Sequence, residues 1–268
     1  GNGTVANWTI NLTGQAPDQQ FPDLDPLDIV DAVPSLDLNL TGPGGLIGTF
    51  TRASTGTYFD ESGVLKTAAI DEPRFEFDRA TGKALGLLLE GASMNHAPYS
   101  NQFDNAAWGK NGATVSANTA LGLDGTLSAD KLVEDSSTGF HSIQTSTLSA
   151  FEKDDHVTWS KFAKADTRSK LRLQVSAYGG NSIVADFDLA TGSIISTGTG
   201  GAAADLTAFI IKGPDGWCLC VVSGVPKVGD SAAGVQASTF ILNDAGAISY
   251  TGDGSSGLYI AEAQIEPG

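Results

Sequence analysis

From residue 113 onward the chain alternates apolar and polar positions with a period of two, the mark of strands buried on one face. The stretch KLRLQVSAY sets Leu171, Leu173 and Val175 toward a core and turns Arg172, Gln174, Ser176 and Tyr178 the other way. HVTWSKFAK puts Val157, Trp159 and Ala163 inward and leaves His156, Ser160, Phe162 and Lys164 outward. Strand-like stretches recur at short intervals from ATVSAN (113–118) to SGLYIAEAQIE (256–266), separated by turns such as DLATGS, GPDGW, NDAGA and TGDGSSG that combine Gly with Asp, Asn or Ser. The one helical candidate, 203–208, is too short to matter. Many strands with little helical periodicity predict an all-β fold, an antiparallel β-sandwich rather than α/β.

Upstream the pattern changes. Residues 46–93 read as hairpins: TGTYFD and VLKTAA around the turn DESG, then PRFEFD and LGLLLE around RATGKA. Alternation in PRFEFD places Phe75 and Phe77 on one face and Arg74, Glu76 and Asp78 on the other. This adaptor has few apolar positions and is expected to pack on the sandwich or on symmetry mates. Residues 1–45 carry six aspartates, prolines at 17, 22, 26, 34 and 43, and no Lys or Arg before Arg52. Such a segment builds no core of its own and predicts an extended acidic arm that docks on a neighbouring subunit or another protein. The expected organisation is therefore arm (1–45), β-hairpin adaptor (46–93) and sandwich domain (94–268).

Composition narrows the function. A net charge of −16 with 15 basic residues and no basic block excludes a nucleic-acid footprint. No apolar run approaches the roughly 18–20 residues that span a bilayer, and the first residues lack the features of a signal peptide; membrane insertion is not expected. Cys218 and Cys220, the two cysteines, share a strand face with poor disulfide geometry and read as buried thiols. Trp217 and Trp159 read as core, and Trp108 as a lid over the core or a loop aromatic.

Catalytic patterns are missing: there is no nucleophile elbow, no zinc-protease motif and no phosphate loop. The acidic pairs Asp60–Glu61, Glu134–Asp135 and Asp154–Asp155 point apart in extended chain and read as solvated surface. An enzyme is not expected. Sugar binding, by contrast, needs an aromatic plane and a few fixed polar groups. If the strands 156–166 and 169–178 are neighbours, Phe162, Lys164, Arg172, Gln174 and Tyr178 form one such patch. His141, in FHSIQ, reads as a surface strand residue and joins the candidate set.

Three segments, NHAPYSNQFDNAAW (95–108), HVTWSKFAKAD (156–166) and SGLYIAEAQIEPG (256–268), resemble the opening, middle and closing strands of jelly-roll carbohydrate-binding modules of the family 4, 9 and 22 type. The run from Phe50 to Ser93 resembles a block that precedes such modules in phage tail and head-fibre proteins. The resemblance implies a jelly roll over 94–268 and a non-catalytic virion surface protein that binds cell-surface or extracellular glycans for host attachment, as a homo-oligomer whose arm, 1–45, docks on other virion proteins. Its alternatives are a purely structural capsid or tail protein and the accessory module of a polysaccharide-degrading enzyme. Many modules of this type hold a structural calcium; the matching positions are Asp104 and Glu262, although the closing strand lacks the usual paired aspartates. No other cofactor is implied.

Overall fold

The computed structural model describes residues 50–78, 81–89, 94–226 and 234–267. The predicted arm, 1–45, lies outside the described residues. The chain divides into two compact units, Gly1–Gly91 and Ala92–Gly268.

In the first unit β1 (Gly56–Phe59) pairs antiparallel with β2 (Leu65–Ala68), and β3 (Phe75–Phe77) with β4 (Ala84–Leu87). Asp60 closes the first turn by accepting the backbone N–H groups of Ser62 and Val64, both at 2.9 Å. Arg74, expected outward, is buried instead: its Nη1 donates to the carbonyl of Thr57 at 3.0 Å and ties the two hairpins together beside Phe59 and Phe75. A short hairpin pair has little apolar area, so a buried guanidinium supplies cohesion that side-chain burial alone does not.

The second unit is an antiparallel β-sandwich. Its strands are β5 (Gly109–Asn111), β6 (Ala113–Leu121), β7 (Leu127–Glu134), β8 (Thr138–Phe140), β9 (Ser142–Gln144), β10 (Val157–Lys164), β11 (Lys170–Ala177), β12 (Ser182–Asp188), β13 (Ser193–Gly200), β14 (Ala204–Lys212), β15 (Trp217–Val225), β16 (Val235–Leu242), β17 (Ser249–Thr251) and β18 (Gly257–Pro267). One sheet runs β14-β15-β10-β18-β7-β6 and the other β13-β12-β11-β16-β9-β5, while β8 and β17 form a small ribbon. The chain crosses from the second sheet to the first at a single residue, Gly112, whose φ of +57° glycine adopts without strain.

Between the sheets Trp108, Trp159, Leu173, Ile183, Phe187 and Ile260 are buried, each contributing on the order of 1.5–3 kcal/mol of hydrophobic stabilisation. Cys218 and Cys220 lie in this core as free thiols on the inward face of β15. Residues 204–212 form strand β14, as the strand-like stretch ADLTAFIIKG predicts, and it absorbs the short helical candidate. One expectation fails. The supposed opening strand 95–108 forms turns, with Phe103 and Trp108 driven into the core and backbone hydrogen bonds from His96 to Ile265 and from Ala263 to Ser100 holding it along β18. Hydrophobic anchoring and two ladder-like bonds fix this segment without a regular strand.

Candidate functional site

Strands β10 and β11 belong to opposite sheets. Their outward faces therefore point to opposite sides of the sandwich, and the six candidate residues do not form one patch. Phe162 and Lys164 stand on the outer side of the β10 sheet, where Phe162 is only 8% exposed and offers no open aromatic plane. Tyr178 opens the 3-10 turn Tyr178–Gly180, and its side chain lies outside the described structure. His141 is not a surface residue at all. It is fully buried at the corner between β8 and β9, with Nδ1 2.5 Å from the Gly112 carbonyl, Nε2 3.2 Å from that of Tyr250, and the Tyr250 ring tilted against it at 4.6 Å between centroids. It clamps three chain segments together and is unavailable to a ligand.

Arg172 and Gln174 do stand where alternation put them, on the outer face of the β11 sheet. The register extends this face into two rows. Asp186, Arg172 and Phe240 are direct cross-strand neighbours, as are Val184, Gln174, Ser238 and Gln144. Arg172 grips Asp186 bidentately at 2.6 and 2.9 Å, and Ser196 donates to the same carboxylate at 2.8 Å. Gln174 donates to Ser176 at 2.7 Å. Phe240 meets Phe140 edge-on at 5.9 Å between centroids, and Phe140 is 47% exposed. The face thus carries amides, hydroxyls and one guanidinium on rigid strands beside an aromatic pair. Sequence alternation located Arg172 and Gln174 but missed Phe240, Phe140 and Asp186, because their membership depends on which strands are neighbours.

The two predicted calcium ligands do not form a metal site. Asp104 is exposed, and its backbone carbonyl is taken by Lys110 Nζ at 2.9 Å, which also donates to Asn105 O at 2.8 Å. Glu262 sits at a bulge of β18 with φ +46°, and burial, with the nearby Asp124 charge, pushes its carboxyl pKa up, opposite to what a calcium ligand needs. No group of three or more His, Cys, Asp or Glu among the described residues can hold a metal. With six to eight oxygens required, the residues present do not fit calcium.

A different cation occupies the interior. Lys161 faces the core opposite the β18 bulge, fully buried, with Nζ 4.3, 5.0 and 5.1 Å from the ring centroids of Phe103, Trp108 and Trp159 and no hydrogen-bond partner among the described residues. Burial pulls its pKa down to about 7, against the opposing pull of Asp130. Asp130 is itself buried and accepts the N–H groups of Phe103 at 2.8 Å and Asn118 at 2.9 Å. Glu134, expected on the surface, is likewise buried. Arg168 holds it bidentately at 2.8 and 2.9 Å, and Tyr250 Oη and Asp253 N donate at 2.7 and 3.0 Å. Burial pushes the Glu134 pKa up, but the bonds from Arg168, Tyr250 and Asp253 outweigh it and hold the carboxylate below its ordinary value.

No family model matches the chain, and no curated protein does. Among solved structures it is similar to the enzymatically active domain of bacteriophage CBA120 tailspike protein 4. The identity is 14%, over 64% of this chain and 21% of that one, with a TM-score of 0.38. It is also similar to the CBM22-2 xylan-binding domain of Paenibacillus barcinonensis Xyn10C, at 10% identity over 63% of this chain and 96% of that one, TM-score 0.39. The match thus spans about a fifth of the tailspike chain. Both likenesses are too distant to transfer a function.

Proposed function

We propose that this chain is a non-catalytic binding protein of a virion surface that takes a glycan on the outer face of the β11 sheet and serves host attachment. The observation that carries the reading is the two adjacent rows that hold Arg172 with Phe240 and Gln174 with Gln144, beside Phe140, a set of fixed polar groups and an aromatic pair on a rigid sheet. Sugars are held by such pairings, with ring faces against apolar surface and hydroxyls on planar polar groups. Asp186, the carboxylate in that row, is committed to Arg172 and Ser196, which leaves it unsuited to acid–base work. The resemblance of 156–166 and 256–268 to jelly-roll carbohydrate-binding modules supports the same reading. Single contacts of this kind are weak, and many copies on a particle raise binding by about 10²–10⁴.

A purely structural role in the particle is the second reading. It is favoured by exposed Ile194, Ile195, Phe209 and Ile211 on β13 and β14, the edge strands of the two sheets. A glycan array probed with the full chain on multivalent beads separates the two. Specific binding that Gln174→Ala reduces supports the attachment reading. Absence of binding to every glycan at that density would favour the structural one.

A further inference from the structure

At one end of the sandwich the β12–β13 turn and the β14–β15 turn enclose a cleft of about 390 Å³, within the roughly 300–1,000 Å³ usual for small-ligand sites. Lys164, Lys212, Leu189, Trp217, Gly216 and Cys218 are among its lining residues, and no carboxylate is. The floor is apolar, since Trp217, Leu189 and Cys218 are all buried. Two glycines with positive φ seat the two lysine stems. A Cβ on Gly192 (φ +69°) would lie 2.2 Å from Lys212 Cε, and one on Gly216 (φ +82°) would lie 3.8 Å from Lys164 Cε. Lys212 Nζ is turned to the Ala190 carbonyl at 3.2 Å. The Lys164 ammonium has neither a hydrogen bond nor an ion pair among the described residues. In a chain of net charge −16, two ammonium groups meet on this cleft with no carboxylate among its lining residues, while Asp188 and Asp215 lie in the two turns that form it.

The backbone says which anion fits. Phosphate sites are commonly built from free N–H groups at turns. Here five of the turn N–H groups are taken internally: Ala190 and Thr191 donate to the Asp188 carboxylate, Gly192 to Asp188 O, Gly213 to Trp217 O, and Trp217 to Pro214 O. What is left is a pair of flexible point charges over an apolar floor. We propose that this cleft binds an acidic sugar, with the carboxylate of a hexuronate between Lys164 and Lys212 and its ring over Leu189 and Trp217. It shares no residue with the β11 face, so either site can fail without the other.

The test is a calorimetric titration of the full chain with sodium glucuronate, with glucose as the neutral counterpart and inorganic phosphate as the competing anion. Saturable glucuronate binding is expected, with none for glucose. The Lys164→Gln/Lys212→Gln variant should lose at least about tenfold in affinity with unchanged melting, while Gln174→Ala binds as the parent does. Should the double variant melt early, the exposed Lys212→Gln alone must lose several-fold. No saturable binding, or lysine variants that bind like the parent, would overturn the proposal. Phosphate binding as tightly as glucuronate would overturn the sugar assignment.

Discussion

Lys161 shows most directly how one side chain is set by its neighbours. The sequence pattern marks Trp159 and Ala163 as inward and leaves Lys161, between them, unassigned; a lysine is rarely fully buried, so its type gives no signal of its place. Three aromatic faces and the Asp130 charge make the site tolerable without making it favourable. Its folded pKa, about 7, lies below that of the unfolded chain, near 10.4. The unfolded chain therefore binds more protons between those values, and the penalty is full below about pH 7 and relieved as pH rises toward 10. Lys161→Met should stabilise the protein by about 1–4 kcal/mol at pH 6, with Asp130 still held by two N–H donors, and the gain should shrink by pH 10. Urea unfolding at the two pH values measures this; a pH-independent difference would contradict it. Arg168→Ala acts in the opposite direction, stranding buried Glu134, with an expected loss of about 3–5 kcal/mol. Because Glu134 titrates below its unfolded value, its contribution is present above the ordinary carboxylate range and lost as pH falls through the folded pKa. The variant should accordingly unfold in acid at a higher pH than the parent, as followed by circular dichroism.

Among the elements, strand existence was legible and strand partnership was not. The period-two pattern and the turns between found β6, β7, β10 to β16 and β18, most clearly β11, where buried and half-exposed residues alternate; β13 buries neither face fully and β15 buries nearly all of both. It could not say that β10 and β11, adjacent in sequence, lie in different sheets, since alternation reads the same on either side of a sandwich. The predicted patch failed for that reason, and His141 was misread because it sits at a corner rather than within a strand. Segment 95–108 misled in a different way: Phe103 and Trp108 are core residues in turns, where no period reveals them. The corner at Gly112 gives an element-scale prediction. A Cβ there would lie only 2.3 Å from Phe140 O and 3.2 Å from His141 Nδ1, in a backbone region that L residues avoid. Gly112→Ala should lower stability by about 1–3 kcal/mol and loosen β5, β6 and the His141 clamp together, which amide hydrogen exchange would register in all three.

At the scale of the molecule, the sandwich presents two outer faces of different character. The β10 face is apolar near Phe162, Val221 and Ala261, which are already buried; the β11 face is polar, with Phe240 and Phe140 at its side. The proposed attachment face is thus that of the β11 sheet, whereas the β10 sheet packs at Phe162 and holds the proposed lysine cleft at its end. Phe162→Ala should lower stability by about 3–5 kcal/mol, the cost of emptying a buried Phe site, and leave glycan affinity intact. Phe240→Ala, at a half-buried surface position, should fold and lose binding. The most direct test is to take whichever glycan the array identifies and titrate it calorimetrically into the parent, Phe240→Ala, Gln174→Ala and Phe162→Ala. The account predicts at least a tenfold loss for the two β11-face variants and parental affinity for Phe162→Ala. Loss confined to Phe162→Ala, with both β11-face variants binding like the parent, would contradict it.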